Sequence, residues 1–315
     1  MRIGLVIGRL NRGGSERQLS ELAVGLVARG HVVEVITYDG AGALAEYVAT
    51  RGVSVRALQA STRIQKILEV RRWMRRFDPD VVHGFMKRAS MVCLLARLPH
   101  HRCRVVASDF STATYSRRKP ILWAALILFA LADRVATQTE RNRRSLGLLA
   151  PWLRRKTVVV RNGVDTVRFA PPTRTQRADS FRFVCVGTVY RVKNPVRVVH
   201  AIAQLHHRQV RPFHVDWYGR LGPTGDMQPS PEYIQAVDLA RSLDVTGSIT
   251  FHGETGQVEA AYRGADALLH PSLQEGIPNA VVEGMACGLP IVVSRVSDLP
   301  MIVEEGRNGF VCAET

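Results

Sequence analysis

His270-Pro271-Ser272-Leu273-Gln274-Glu275-Gly276-Ile277-Pro278-Asn279-Ala280-Val281-Val282-Glu283-Gly284-Met285-Ala286-Cys287-Gly288-Leu289-Pro290 reads as a strand end, a loop, a helix and the approach to another strand. Ala267-Leu268-Leu269 is a short apolar run that ends at Pro271. Pro278-Asn279 opens a helix, Gly288-Leu289-Pro290 closes it, and β-branched Ile291-Val292-Val293 follows. Glu275 falls in the loop beyond the strand's carboxyl end and Glu283 on the helix. In an open α/β sheet ligands bind at the carboxyl ends of strands, so both acids are expected to face one crevice. The ordinary alternative, a solvated loop acid and a helix-surface acid, is weakened by the glycines and prolines packed between them.

Outward from this stretch the alternation repeats. Upstream, strands are expected at 181–186, 213–217, 249–252 and 267–270, with 291–294 beyond, and helices near 195–205, 232–243, 257–264 and 279–287. The first half reads the same way. A strand at 3–8 leads through Gly13-Gly14 into a helix over 15–29, with Ser15 as N-cap and Gly30 as its stop. Strands follow at 32–37, 53–55, 81–83, 105–109, 134–137 and 157–160. Helices are expected at 46–48, 63–77, 121–132 and 141–149. Residues 170–180, polar and proline-containing, form the best linker. The expectation is an α/β protein of two doubly wound Rossmann-like domains, 1–168 and 169–315, facing each other across a central cleft.

The 315 residues carry a net charge of +16, and that charge is unevenly placed. Residues 1–170 hold 30 basic and 12 acidic side chains, whereas 171–315 hold 13 and 15. A basic half attracts nucleic acid, anionic lipid or phosphorylated substrates. With 46% hydrophobic and 22% charged residues the composition is that of a soluble globular protein. No apolar run reaches the ~18 residues of a membrane span. Met1 to Ile7 reads as a strand, not as a signal peptide. Five cysteines (Cys93, Cys103, Cys185, Cys287, Cys312) are scattered without a CxxC pair, and fit reduced core thiols, not a metal site. His100-His101 and His206-His207 lack ligand spacing and read as surface residues.

Three loops point to a phosphate. Gly13-Gly14 lies between a strand and a helix N-terminus, where amides and helix dipole favour an anion. Gly187-Thr188-Val189-Tyr190-Arg191-Val192-Lys193-Asn194-Pro195 follows the opening strand of the second domain and sets Lys193 just before a helix. Tyr218-Gly219-Arg220-Leu221-Gly222-Pro223 is another glycine loop after a strand. Neither GxGxxG nor GxxxxGK[ST] is present, and Asp39 stands about 25 residues after Gly14, so a nicotinamide-dependent oxidoreductase is disfavoured.

In this order the features resemble the group 1 family of retaining glycosyltransferases, with the two-Rossmann GT-B architecture. The carriers are Gly13-Gly14-Ser15-Glu16-Arg17-Gln18-Leu19, Arg161-Asn162-Gly163-Val164-Asp165, Gly187 through Lys193-Asn194, and Glu275-Gly276-Ile277-Pro278-Asn279 with Glu283, which matches the family's E-x7-E motif. Met285-Ala286-Cys287-Gly288-Leu289-Pro290 and Asn308-Gly309-Phe310 match too. The resemblance implies that Glu283 accepts hydrogen bonds from the ribose hydroxyls of a nucleotide sugar. It implies that Glu275 binds the transferred sugar, helped by the backbone of Gly276, Ile277, Pro278 and Asn279, in which every residue but the proline has an amide to donate. Lys193 would neutralise the diphosphate, and the amides of Gly13-Gly14 would meet it from the other domain. His83 would stand near the donor sugar at a strand end, with Asp109 at the end of the next strand; a structural histidine is the alternative. Thr188 replaces the arginine that the family often carries as a second phosphate ligand, and Arg191 is the candidate to substitute for it.

The implied activity is metal-independent transfer from a UDP- or GDP-sugar to a lipid-linked or oligosaccharide acceptor, in cell-surface polysaccharide, lipopolysaccharide or exopolysaccharide assembly. No cofactor beyond the donor and no nucleic acid partner is implied. The apolar faces at 63–77 and 116–132, flanked by Arg or Lys, suit a peripheral contact with an anionic membrane, and a cytoplasmic location on its inner face; ordinary packed helices with solvated arginines are the alternative. Family members continue through further helices beyond the point where this sequence stops at Thr315. A truncated or inactive homologue, binding nucleotide sugar or anionic glycan without transfer, is therefore the competing reading. A non-catalytic binder of anionic polymers suits the basic half but not the paired glutamates of the other.

Overall fold

Strand β1 (Arg2–Ile7) shows why the chain folds into layers. Leu5 and Ile7 pack on one side with Leu19 and Ala23, while Val6 packs on the other with Trp73 and Val82. A strand buried on both faces needs helices on both faces, which parallel crossover connections supply. In a computed structural model, which describes all residues except 12, 99–101, 110–119, 174–179, 209–210, 223–227 and 314–315, the chain divides into two compact units, Met1–Gly163 and Val164–Thr315.

In the first unit β1 leads to α1 (Gly14–Ala28), β2 (Val32–Thr37), α2 (Ala45–Ala49), β3 (Ser54–Ala57), α3 (Arg63–Phe77) and β4 (Val81–Gly84). Then come α4 (Met86–Arg97), β5 (Arg104–Ser108), α5 (Pro120–Phe129), β6 (Arg134–Thr137), α6 (Glu140–Leu149) and β7 (Thr157–Val159). All pairings are parallel and the strand order is β3-β2-β1-β4-β5-β6-β7. Helix α3 is sharply bounded. Thr62 and Gln65 form a reciprocal capping box, and Asp78, left-handed at φ 45°, ends the helix ahead of Pro79.

The second unit runs β8 (Phe181–Val186), α7 (Pro195–His207), β9 (Phe213–Tyr218), α8 (Pro231–Ser242), β10 (Ile249–Gly253), α9 (Val258–Arg263) and β11 (Ala267–His270). It continues with α10 (Asn279–Ala286), β12 (Ile291–Ser294), α11 (Leu299–Ile302) and β13 (Gly309–Cys312). Its parallel sheet has the order β10-β9-β8-β11-β12-β13. One face packs α7 and α8 around Trp217, and the other packs α9 and α10 around Tyr262 and Leu268.

The expected α/β, doubly wound architecture is the one observed, with local corrections. Helix α1 starts at Gly14, so Gly13 and not Ser15 is its N-cap, and no side chain caps it. Helices α4 and α11 and strand β13 add to the elements expected from the sequence. Residues 164–168 group with the second unit, since Val164 and Phe169 join its core and Arg168 pairs with Glu259 at 2.9 Å. Cys312 is exposed; the other four thiols are buried. His100-His101, residues 116–119 and most of the linker fall outside the described residues. No helix among the described residues is long and apolar enough to cross a membrane.

Candidate functional site

In the second sheet the connection from β8 runs outward to β9, and that from β11 runs the other way to β12. The loops after β8 and β11 therefore diverge from adjacent strand ends, which is where an open α/β sheet leaves a crevice. Lys193 arrives on the first loop and Glu275 on the second. After β8 the chain makes a short 3₁₀ turn at Arg191–Lys193, passes through Asn194 in the left-handed region, and enters α7 at Pro195. The second loop is tied to this turn by the Leu273 amide, which donates to the Val192 carbonyl at 2.8 Å.

The Lys193 ammonium donates to Glu275 Oε1 at 2.5 Å, with side chains only 18% and 13% exposed. The same oxygen lies 3.0 Å from His270 Nε2, which in turn is 3.1 Å from Ser272 Oγ. Burial alone would raise the Glu275 carboxyl. The Lys193 charge and the His270 hydrogen bond outweigh it and hold the group well below the usual carboxylate range. Burial and then Lys193 push the His270 pKa down, so the imidazole is neutral and serves Glu275 as a hydrogen-bond donor. Burial and the Glu275 charge raise the neighbouring Tyr190 hydroxyl. Among the residues expected at the site, Lys193 and Glu275 are thus brought into contact. His270, Ser272 and Tyr190, which carry no signal in the sequence, join them.

Beyond this loop Gly276 is half-buried, Ile277 and Pro278 are buried, and Asn279 opens α10, whose N-cap Pro278 supplies no side-chain cap. Glu283 is buried on this helix and accepts a hydrogen bond from the Tyr262 hydroxyl at 3.0 Å. The two acids therefore sit in different settings, one ion-paired and one held by a phenol. Thr188 is half-buried and Arg191 exposed on the β8 loop. Gly219 has φ +150°, and a Cβ there would lie 2.1 Å from the Gly187 carbonyl oxygen. Its lack of a side chain is required by two backbones running close together.

In the first unit the strand order reverses between β1 and β4, again bringing two diverging loops together. Gly13-Gly14 opens α1 on one of them. The Glu16 carboxylate folds back over Gly13, where an added Cβ would lie 2.2 Å from its Oε2. The anion beside this helix N-terminus is thus the protein's own. Gln18 on the same helix clamps the Gly163 backbone, donating to its carbonyl at 2.9 Å and accepting from its amide at 3.0 Å. This gives a structural role to part of the Arg161-Asn162-Gly163 motif.

At the end of β4, His83 Nε2 lies 2.6 Å from Ser108 Oγ of β5. Asp109, buried just beyond β5, pairs with Lys87 of α4 at 3.3 Å. Burial lowers the His83 pKa to about 4, so the ring is neutral near pH 7. Because the unfolded chain protonates this histidine from its ordinary 6.5 downward, the folded state loses stability as pH falls from about 6.5 toward about 4. By pH 5 this loss should reach about 2 kcal/mol. Denaturation midpoints of wild type and His83→Gln at pH 7 and pH 5 check it, the variant showing the smaller loss. Among the described residues no three His, Cys, Asp or Glu side chains cluster as a metal site.

Both units match known families. The family model described as "Glycosyltransferase Family 4" covers residues 12–168, and that described as "Glycosyl transferases group 1" covers residues 180–315. A D-inositol 3-phosphate glycosyltransferase of Actinosynnema mirum is 32% identical over 199 residues, covering 58% of this chain and 46% of that protein. The chain thus spans about half the length of the curated relatives it matches. Among solved structures, Anabaena HepE in complex with UDP and glucose superposes with a TM-score of 0.83 at 18% identity, over 99% of this chain and 86% of that one. The lipopolysaccharide outer core galactosyltransferase WaaB in its apo form superposes at 0.72 with 16% identity, over 100% and 86%. Two Rossmann-like parallel-sheet units of this topology, each matched by such a model, place the chain in a glycosyltransferase family of GT-B architecture.

Proposed function

We propose that this protein transfers a sugar from a UDP- or GDP-sugar, with retention and without a metal ion, to a lipid-linked or glycan acceptor in cell-surface polysaccharide assembly. The observation that carries this reading is the delivery of Lys193 and Glu275 to one point by the two loops of the second unit's strand-order reversal. Glycosyl transfer breaks the bond from the sugar's anomeric carbon to a diphosphate oxygen, leaving electron-poor carbon and added negative charge on the diphosphate. Lys193 has three N–H donors, so it can keep one bond to Glu275 while turning others to that leaving group. Glu275, held ionised, accepts from sugar hydroxyls. Glu283 keeps one oxygen on Tyr262 and offers its acceptor capacity to the ribose. A single oriented donor at such a site is worth about 10²–10³ in rate.

The surface chemistry of the first unit supports a membrane-borne acceptor. Trp123 and Ile127 on α5 and nearby Trp152, which donates to the Leu126 carbonyl at 3.3 Å, are exposed in the strongly basic half of the chain. Such a surface suits a peripheral contact with anionic lipid on the cytoplasmic side.

The test is a thermal-shift screen with UDP, GDP and their sugars, followed by product analysis with the best donor. Bound donor raises the midpoint according to RT ln(1 + [L]/Kd). A nucleotide-dependent shift with product formed supports transfer, whereas a shift without product identifies a homologue that binds and does not transfer. Full activity in Glu275→Ala would refute the site assignment.

A further inference from the structure

A second charged cavity lies in the first unit, away from the strand ends that carry His83 and Gly13. It occupies about 400 Å³ beside the last turns of α3 and the start of β1, and four arginines line it: Arg2, Arg56, Arg72 and Arg76. Two acids share the lining, Glu34 and Glu69. Glu34 is buried and already held twice, by Trp73 Nε1 and by Arg56 Nε, each at 2.8 Å. Glu69 is paired to Arg72. Arg2 rests on a neutral partner: it donates from Nε to the Phe77 carbonyl at 2.6 Å, and its guanidinium lies 4.6 Å from the Phe77 ring centroid. Four cations against two anions leave a surplus of two positive charges. Among the described residues Arg56 and Arg72 are each anchored to an acid through one nitrogen, which leaves their other N–H groups for a ligand.

We propose that this cleft binds a doubly charged phosphate group, a phosphomonoester or a diphosphate. Planar guanidiniums match phosphate oxygens two at a time, and here several are fixed in place before the ligand arrives. The volume exceeds that of bare phosphate, so the group is carried on a larger headgroup, lipid-borne or soluble. This site is independent of the donor site in the second unit.

Inorganic pyrophosphate titrated calorimetrically into the full chain under saturating UDP tests it, since UDP occupies any donor site. Arg72→Gln/Arg76→Gln is expected to weaken the remaining binding at least about tenfold, the effect of losing charge-assisted hydrogen bonds. Arg75→Gln, on the same helix but outside the cleft, should leave it unchanged, and Arg2→Gln gives a second probe from a different element. Sedimentation with vesicles of phosphatidic acid, against phosphatidylglycerol at equal charge, distinguishes the source. A loss of phosphatidic acid binding in the double variant assigns a lipid headgroup. Weakened pyrophosphate binding with unchanged sedimentation assigns a soluble phosphate. Pyrophosphate that does not bind under saturating UDP, or binds the double variant and Arg75→Gln equally, overturns the proposal.

Discussion

Lys193→Met is expected to lower turnover by about 10²–10³ and stability by about 3 kcal/mol at once. The stability loss follows from Glu275, which is mostly buried and, among the described residues, keeps only the neutral His270 as a hydrogen-bond partner once the ammonium is gone. Removing one member of a buried pair strands the other, which costs more than the pair was worth. Desolvation then dominates at Glu275, whose carboxyl should rise out of its depressed range. In wild type the depressed carboxyl contributes stability above its ordinary pKa of 4.5, and that contribution is lost as pH falls through the folded value. In Lys193→Met this contribution is reduced. The decisive comparison is the double variant Lys193→Met/Glu275→Gln. It should regain most of the stability, because no buried charge is left unpaired, yet regain none of the turnover. Denaturant titration beside donor-consumption rates measures both. If the double variant recovers activity with stability, the pair is a structural ion pair and nothing more.

That pair also marks how far the sequence could be read. The alternation of elements was legible because strands such as Val32–Thr37 and Ile291–Ser294 are compact β-branched runs bounded by glycine, proline or polar residues. Glu275 and Glu283 stood out through the residues framing them. The contact between Lys193 and Glu275 did not, because 82 residues separate them and the sheet order β9-β8-β11 brings their loops together. Periodicity reports which face of an element is buried, not which strand is its neighbour. His270 was in plain view at the end of β11, but only three dimensions show its Nε2 on the Glu275 carboxylate. Tyr262 was hidden for the same reason, being a buried residue on α9 that reaches Glu283 on α10. Helix α4 went unread because Lys87 and Arg88 precede an apolar stretch without a clear cap. The arginine cleft was invisible as well. Its arginines come from β1, β3 and α3, with Glu34 from β2 among them, and in sequence they read only as general basicity.

Gly219→Ala is expected to destabilise the second unit by about 3 kcal/mol or more, through backbone strain and a clash that no rotamer relieves. At φ +150° the residue lies where L side chains are rarely found, and the added Cβ would meet the Gly187 carbonyl oxygen at 2.1 Å and its carbon at 2.4 Å. Both neighbours are main chain, so the loop itself must move. It is not free to do so. The Gly187 amide donates to the Tyr218 carbonyl at 2.9 Å and the Val189 amide to the Arg220 carbonyl at 2.7 Å. Trp217 Nε1 holds the Gly187 carbonyl at 2.8 Å, and the Gly219 amide is bound to Gly253. The first two bonds extend the β8–β9 pairing past the strand ends, the last ties β9 to β10, and together they fix the start of the loop that carries Lys193. A shift at Gly219 therefore propagates into the site, and donor affinity should fall even where the variant remains folded. Gly256→Ala is the control: its Cβ meets nothing within 4 Å and its φ is ordinary, so it should change stability by no more than about 0.5 kcal/mol. Denaturant midpoints for the two variants, with hydrogen exchange across residues 187–193, decide the matter. Equal midpoints would mean that the loop is not held by the close approach of these two backbones.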